Sequence, residues 1–422
     1  MSTRREPPRR RTSIQEYESA ELADEELTAR DLDVLQTLGQ SDLLSLRRLR
    51  GSWEIHAKAV VGLLTLDHTV LEIRPKTMVS GEQVMAWIRY ALALPTHVEL
   101  PRGWSTAPSG LRDLVIAALV AECRVLLRDQ LRRDYRRHDS VEPVLRGRLD
   151  IAAQISRRFG QVDRLHVRTF DRDVAIWENL ACHAALTRAA RVAESVELAR
   201  AAHDVAAGFP PCRADRRTVL RWLATARYHR MNQRYRAAHT WAALLLGGGG
   251  VSDLLAEGSE RAESLLINMN RLWEAVVRRL SEQAVEGHGG SLASATGEQA
   301  IVVHEQDRGT RSLRPDVLLQ LRADDPSLLA VDAKYKRYDE HVVDSADVHQ
   351  LLTYAHEYQA PDGLRRAVIV HPSGLGSTQR TITVRGPSGH LGTVDIVGLD
   401  VGQPPPECVA KLSQALPQTV GP

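Results

Sequence analysis

The stretch "SLRPDVLLQLRADDPSLLAVDAKYKRYD", residues 312–339, decides how the C-terminal part of the chain folds. It holds two apolar runs, "PDVLLQL" and "LLAVDAKY", which are separated by the polar segment "RADDPS". Two such runs joined by a short polar loop predict an antiparallel β-hairpin. Asp324 and Asp325 precede a proline within that loop, so we interpret them as turn-forming residues.

Charged side chains gather at one end of this predicted hairpin. Asp316 lies at the start of the first strand and Asp332 near the end of the second, and in a hairpin these two positions are neighbours. Lys334 follows Asp332 by two residues, so both side chains point to the same face. Neighbouring carboxylates repel each other, and Mg²⁺, which prefers oxygen ligands, relieves that repulsion. The pattern predicts a Mg²⁺-dependent site for phosphodiester hydrolysis, with Asp316 and Asp332 as metal ligands. Lys334 would orient the attacking water or neutralise developing charge.

The neighbouring predicted helices and strand carry further candidates. Glu274 lies on the preceding helix and is a candidate catalytic residue and third metal ligand, the alternative being a salt bridge to Arg278 one turn later. Gln350 and Tyr354 are four residues apart on the following helix and share a face. Both are candidates to hydrogen-bond the DNA backbone or a water near the metal, the alternative for Tyr354 being core packing. Glu305, on a neighbouring strand, is a weaker candidate.

Composition excludes several classes of protein. The 422 residues are 43% hydrophobic and 26% charged, as expected for a globular protein of more than one domain. The net charge of +2 means that any DNA binding depends on local patches. No apolar run is long enough for a transmembrane helix, and isolated cysteines without a CxxC motif favour a reducing, cytoplasmic location. No lysine follows a glycine, so the phosphate loop of P-loop NTPases is absent; the lysines are Lys58, Lys76, Lys334, Lys336 and Lys411.

The order of predicted elements gives the fold class α/β, or α+β overall. We expect a disordered basic and acidic arm over residues 1–30 and a β-rich domain over 31–105. A mainly helical region is expected over 106–255, and a mixed sheet flanked by helices over 256–400. Residues 401–422 are expected to form a flexible tail.

A long helix is predicted in the middle region by "GLRDLVIAALVAECRVLLRDQLRRDY". It would carry an arginine stripe that either contacts phosphate or forms a solvated face with Asp129 and Asp134 as partners. The arginines of this stripe are Arg128, Arg132, Arg133, Arg136 and Arg137.

The hairpin motif resembles the signature of the PD-(D/E)xK nuclease superfamily, whose two elements match Pro315-Asp316 and Asp332-Ala333-Lys334. Gln350 and Tyr354 resemble the QxxxY element of its RecB-type branch. More specifically, the chain is similar to the McrC family, the nuclease subunits of McrBC modification-dependent restriction systems. The similar stretches follow the family's order from about residue 50 to about residue 360 and are "LEIRPK", "VLRGRLD", "FDRDVAIWEN", "NMNRLWE", "RPD", "VDAKYK" and "DVHQLLTYA".

This resemblance implies a PD-(D/E)xK nuclease domain at 256–400 and a partner-docking domain at 31–105. It implies a McrB-like AAA+ GTPase hexamer as partner. This partner would bind GTP, and the chain would stimulate its hydrolysis of that GTP. The substrate implied is double-stranded DNA carrying modified cytosine, with no role for a membrane. Two alternatives stay open: a self-sufficient nuclease of repair or another defence system, and a non-catalytic adaptor that only activates a GTPase.

Overall fold

A computed structural model of the chain describes residues 10–76, 79–94, 110–247, 265–296, 299–305, 309–322, 328–358, 365–387 and 389–417. The chain forms two compact units. The first combines the described residues before Val115 with those after Gly247, and the second spans Val115–Gly247. Asp324 and Asp325, the predicted turn residues, lie outside the described ranges.

The N-terminal part of the first unit is rich in strands. Helix α1 begins with a capping box, in which Thr28 and Asp31 each bond the other's backbone N–H, and α2 begins with the same device from Ser80 and Gln83. The elements are β1 (Arg10–Gln15), β2 (Ser19–Ala23), α1 (Ala29–Gln40), β3 (Leu44–Arg48), β4 (Ser52–Ala57), β5 (Val60–Thr65), β6 (Thr69–Arg74) and α2 (Gly81–Ala91).

Strands β1 and β2 correct the expectation of a disordered arm over residues 1–30. Strand β1 pairs in parallel with β6, and β2 pairs with β4 in a second sheet of order β2-β4-β3. Ile14, the one apolar residue of β1, is buried, and Arg11 pairs with Glu72 of β6 at 3.0 Å. The sequence did not indicate this strand because it is a polar edge strand whose partner lies about sixty residues away. The expectation is wrong for residues 10–30, and residues 1–9 lie outside the described ranges.

One sheet joins the two ends of the chain. Strand β10 (Leu265–Asn268) pairs antiparallel with β5, giving the strand order β1-β6-β5-β10. The regions 31–105 and 256–400, which we predicted as separate domains, therefore share a sheet within one compact unit. Gly62 of β5 lies opposite Leu266 at this junction with φ of +131°, and a Cβ atom there would lie 1.9 Å from the carbonyl oxygen of Leu265.

Gly62→Ala should therefore destabilise the first unit by about 3 kcal/mol or more, because both the backbone angle and the close approach exclude a side chain. Chemical denaturation followed by circular dichroism measures the change. Gly51→Ala is the matched control, since Gly51 also has positive φ (+84°) but meets nothing within 4 Å. That variant should lose only about 1 kcal/mol. Equal losses in the two variants would show that the β5–β10 contact is not tight.

The C-terminal part of the first unit is built on a mixed sheet of order β11-β14-β15-β16-β18-β17. Strands β14 and β15 form the predicted antiparallel hairpin, with Val317 opposite Val331. Strands β15, β16 and β18 run parallel to one another, so the expected α+β class with a mixed sheet is confirmed. The elements are α9 (Met269–Glu286), β11 (Ser291–Ala293), β12 (Ile301–Glu305), β13 (Gly309–Leu313), β14 (Val317–Gln320), β15 (Leu328–Ala333), α10 (Ser345–Glu357), β16 (Arg366–Ser373), β17 (Thr378–Gly386), β18 (Gly389–Asp400) and α11 (Pro405–Ala415).

Helix α11 corrects the expectation of a flexible tail over 401–422. Pro405 occupies the first helical position, where its missing N–H costs nothing. Cys408 and Leu412 are buried on the inner face of this helix. Residues 418–422 lie outside the described ranges.

The second unit mixes helices with a small sheet, so the predicted region 106–255 is less helical than expected. Helix α3 ends at Arg128 and Gln130 adopts φ of +62°, after which the chain turns into strand β7. The predicted long helix and its single arginine stripe are therefore wrong, since Arg137 lies on a strand paired with β9. The elements are α3 (Leu111–Arg128), β7 (Asp134–Glu142), β8 (Arg148–Leu149), α4 (Ile151–Arg158), β9 (Leu165–Asp173), α5 (Trp177–Val192), α6 (Val196–Ala206), α7 (Arg216–Ala224) and α8 (Arg236–Gly247). None of the helices in the described ranges has the length and apolarity needed to cross a bilayer.

Candidate active site

The hairpin brings the two predicted aspartates together. Asp316 immediately precedes β14, and Asp332 lies in β15 one position beyond Val331, the partner of Val317. Asp316 Oδ2 accepts a hydrogen bond of 2.7 Å from the backbone N–H of Ala333, which fixes the carboxylate against the end of β15. Asp332 is only 1% exposed. Two carboxylates thus converge at one end of the hairpin, as the sequence predicted.

Lys334 joins the same cluster. Its Nζ lies 2.7 Å from Asp332 Oδ2 and 3.7 Å from Asp347 Oδ1 in helix α10. It also donates a hydrogen bond of 3.1 Å to Oε1 of Gln350. The backbone N–H of Lys334 donates to the carbonyl oxygen of Val370 in β16 at 3.0 Å. The lysine is held at its backbone by the sheet and at its tip by three side chains.

Gln350 and Tyr354 form a hydrogen-bonded chain behind the lysine. Gln350 Nε2 donates to the hydroxyl oxygen of Tyr354 at 3.0 Å, and that hydroxyl donates to the carbonyl oxygen of Arg314 at 2.8 Å. The chain connects Lys334 to the segment that carries Asp316. Tyr354 is 1% exposed and packs in the core between α10 and the sheet, so its ring supports the site from behind and does not face solvent.

Glu274, on helix α9, lies near the cluster without joining it. Within the described residues, no ion pair links it to Arg278, so the predicted structural alternative is not formed. Burial raises the pKa of Glu274, with a smaller opposing contribution from Arg271 and a further increase from the Asp332 carboxylate. The side chain of Glu305 lies outside the described part of the structure.

The carboxylates of the site are costly to keep ionised. Burial raises the pKa of Asp316 to about 7, and the neighbouring Asp332 carboxylate adds to the increase. Burial also raises the pKa of Asp332, although Lys334 opposes that effect. For Lys334, burial acts to lower the pKa, but the surrounding aspartates outweigh it and raise the pKa above its ordinary value. At neutral pH the site therefore holds a charged lysine beside two carboxyl groups whose ionised form a further cation would stabilise.

The donor set fits a hard divalent cation held by few protein ligands. Asp316 and Asp332 offer carboxylate oxygens, the ligand type that Mg²⁺ prefers, and Mg²⁺ needs only one or two carboxylates because it retains several waters. Within the described ranges, no three acidic, histidine or cysteine side chains are disposed to hold a metal together. Glu274 stays a predicted third ligand, since it lies near enough to Asp332 for that carboxylate to raise its pKa.

Asp347 is a member of the site that the sequence analysis missed. Its Oδ2 accepts a hydrogen bond of 2.6 Å from Lys336 Nζ and another from the Tyr338 hydroxyl. Burial acts to raise the pKa of Asp347, but these two bonds and Lys334 outweigh it and lower the pKa. The available signal was its spacing, since Asp347 precedes Gln350 by three residues on the same helical face.

Asp347→Asn should loosen the lysines at the site and lower the DNA cleavage predicted from the sequence on the order of 10-fold, the usual cost of losing a residue that orients functional side chains. Cleavage of a DNA substrate under single-turnover conditions measures the effect. Glu357→Gln, on the exposed face of the same helix, is the matched control and should cleave like the wild type. Full activity of Asp347→Asn would show that Lys334 does not depend on this carboxylate.

A family model described as "McrBC 5-methylcytosine restriction system component" matches residues 55–372 of the 422-residue chain. The chain belongs to the McrBC family. The matched range includes β5, β6 and the whole second unit. It also includes all the site residues described above, among them Asp316, Asp332, Lys334, Asp347 and Gln350. The resemblance inferred from the sequence motifs is confirmed at the level of the family.

A solved structure shares the fold of this chain. The chain is similar to one in "Refined half-complex from tetradecameric assembly of Thermococcus gammatolerans McrB AAA+ hexamers with bound McrC", with TM-score 0.62 and 16% identity over 96% of this chain and 100% of that one. A second similar structure, the cryo-EM structure of the Thermococcus gammatolerans McrBC complex, has TM-score 0.44 and 17% identity over 64% of this chain and 87% of that one. No curated protein of similar sequence was found.

Proposed function

We propose that this chain is the DNA-cleaving subunit of a McrBC-type restriction system and that it hydrolyses phosphodiester bonds of double-stranded DNA with Mg²⁺. The observation that carries the proposal is the convergence of Asp316, Asp332 and Lys334 at one end of the β14–β15 hairpin. This arrangement has an acidic pair that fits a divalent cation, next to a lysine that stays protonated. Membership of the McrBC family supports the same conclusion.

Each side chain has a distinct task in the proposed reaction. Asp316 and Asp332 would hold Mg²⁺, which when bound lowers the pKa of a water ligand and offsets negative charge on the reacting phosphate. Lys334 supplies a fixed positive charge for the phosphate or the attacking water. Gln350 holds the lysine tip, and Tyr354 holds Gln350 and the backbone before Asp316. Glu274 contributes negative potential next to Asp332.

A partner of the AAA+ class completes the proposal. In the similar Thermococcus structure, McrB AAA+ hexamers carry bound McrC. We infer that this chain likewise binds a McrB-like GTPase hexamer and stimulates its GTP hydrolysis, and that GTP belongs to the partner. We infer that the target is DNA carrying modified cytosine, which the family description supports. We also propose a cytoplasmic location, in a system of antiviral defence.

The test is a reconstituted reaction that contains this chain, a McrB-like GTPase from the same genome, GTP and DNA with or without 5-methylcytosine. We expect cleavage of the methylated DNA only when both proteins, GTP and Mg²⁺ are present, and none when Ca²⁺ replaces Mg²⁺. Cleavage by this chain alone with Mg²⁺ would indicate a self-sufficient nuclease. Stimulated GTP hydrolysis without cleavage under any divalent cation would indicate a non-catalytic adaptor.

A further inference from the structure

A buried polar cluster links the N-terminal sheet to the residue that follows Lys334. Glu16, directly after β1, is 4% exposed, and Tyr335 is 2% exposed. Glu16 Oε2 accepts hydrogen bonds from the Tyr335 hydroxyl at 3.1 Å and from the backbone N–H of Lys76 at 3.0 Å. Tyr335 is more than 250 positions away in sequence from both Glu16 and Lys76, yet the three residues meet inside the first unit.

Lys76 encloses the tyrosine from the other side. Its Nζ lies 3.7 Å from the centroid of the Tyr335 ring, within range of a cation–π interaction, and donates to the carbonyl oxygen of Tyr335 at 3.3 Å. The side chain thus contacts both the ring and the backbone of one residue. Tyr335 is held at its hydroxyl, its ring face and its carbonyl by two residues of the N-terminal region.

The same tyrosine is braced from helices α2 and α9. The Tyr335 ring meets Trp87 edge-on at 6.4 Å between centroids, and Trp87 packs on Trp273 at 5.1 Å. Trp273 Nε1 donates to the carbonyl oxygen of Val370 at 3.0 Å, and the same oxygen accepts the backbone N–H of Lys334. One carbonyl therefore connects the aromatic stack to the backbone of the site lysine.

This cluster is expensive to bury, which argues against an incidental contact. Burial raises the pKa of Glu16 to about 7, with partial compensation from the Lys76 backbone bond and ammonium group. Burial lowers the pKa of Lys76 to about 8, and the Glu16 carboxylate opposes that change. Burying such groups is costly unless they are paired and hydrogen-bonded, and here Glu16 and Lys76 are bonded to each other and to Tyr335.

We propose that Glu16 and Lys76 are positioning residues that clamp Tyr335 and thereby set the backbone of Lys334, so that the N-terminal sheet forms part of the support of the nuclease site. The inference rests on the proposed function for its catalytic consequence. Its structural consequence is independent of that function: loss of the clamp should loosen residues 328–336 of the described chain.

Two variants, Tyr335→Phe and Glu16→Ala, disrupt the clamp in different ways and so test it separately. Tyr335→Phe removes only the hydroxyl that bonds Glu16 and keeps the ring beside Lys76 and Trp87. Glu16→Ala removes the acceptor for both Tyr335 and Lys76, whereas Glu16→Gln keeps one amide oxygen that can accept both bonds. Tyr17→Phe is the matched control, because Tyr17 is 48% exposed and its hydroxyl has no hydrogen-bond partner among the described residues.

Two measurements are made on the full-length variants. In the reconstituted reaction at saturating DNA and Mg²⁺, Tyr335→Phe and Glu16→Ala should cleave on the order of 10-fold more slowly than wild type, with partner GTPase stimulation retained. Glu16→Gln should recover most of the lost rate, and Tyr17→Phe should match the wild type. Hydrogen exchange followed by mass spectrometry should show faster exchange in peptides covering 328–336 for the two slow variants alone.

The outcomes separate this inference from the proposed function. Should the wild type fail to cleave while the slow variants still show faster exchange at 328–336, the nuclease proposal falls and the clamp stands. Should the wild type cleave while Tyr335→Phe and Glu16→Ala match it in both rate and exchange, the clamp is overturned. Since Tyr335→Phe is the milder change, it carries the test if Glu16→Ala does not fold.

Discussion

Lys334→Gln should lose DNA cleavage by roughly 100-fold or more, because it removes the positive charge placed beside the acidic pair. It should also destabilise the first unit by about 3 kcal/mol. The lysine is the cation nearest to Asp332, whose side chain is 1% exposed, and it also faces Asp347 at 3.7 Å. Removing one partner of a buried pair leaves the other charge without compensation, which costs more than the pair contributes.

Single-turnover cleavage and urea denaturation of the same preparation measure these two effects. Lys336→Gln is the matched control, because Lys336 is also a lysine paired with Asp347 but its side chain is 47% exposed. It should lose less than about 1 kcal/mol, the usual range for exposed pairs. Wild-type stability and cleavage in Lys334→Gln would show that Lys334 is needed neither for DNA cleavage nor for the stability of the first unit.

Asp332→Asn should lose cleavage by a similar or larger factor, on the order of 100- to 1,000-fold. The change is nearly isosteric but removes one of the two carboxylates proposed to hold Mg²⁺. In contrast to Lys334→Gln, it should not destabilise the fold, because burial raises the pKa of Asp332 and the ionised form is costly in the native state. The ammonium of Lys334 keeps Asp347 and Gln350 as partners.

The contrast between these two variants is a sharper test than either one alone. Thermal denaturation without divalent cations should give a melting temperature for Asp332→Asn at or above that of the wild type. Addition of Mg²⁺ should raise the melting temperature of the wild type and leave that of Asp332→Asn nearly unchanged, since ligand binding to the native state stabilises it. Equal Mg²⁺ shifts in both proteins would place the cation elsewhere.

The centre of the site could be predicted because its geometry is local. In an antiparallel hairpin the start of one strand meets the end of the next, so the positions of Asp316 and Asp332 followed from two adjacent apolar runs. The side-chain alternation of strands then placed Lys334 on the same face as Asp332. Helical spacing likewise placed Gln350 and Tyr354 on one face.

The residues that hold this centre in place could not be predicted, because each depends on contacts distant in sequence. Glu16 reaches the site through a polar edge strand, β1, whose own sequence does not indicate a strand. Val370 matters through a carbonyl oxygen that carries no side-chain signal. Propensity also misled where tertiary pairing prevailed, as in the turn at Gln130 that ends α3 and begins β7.

We propose that Asp332 is needed for DNA cleavage but not for stimulation of a GTPase partner. The most direct measurement follows DNA cleavage and GTP hydrolysis in one reconstituted reaction with Mg²⁺, for the wild type and Asp332→Asn. We expect Asp332→Asn to lose cleavage while GTP hydrolysis by the partner is stimulated as in the wild type. Cleavage of DNA by Asp332→Asn at the wild-type rate would contradict it.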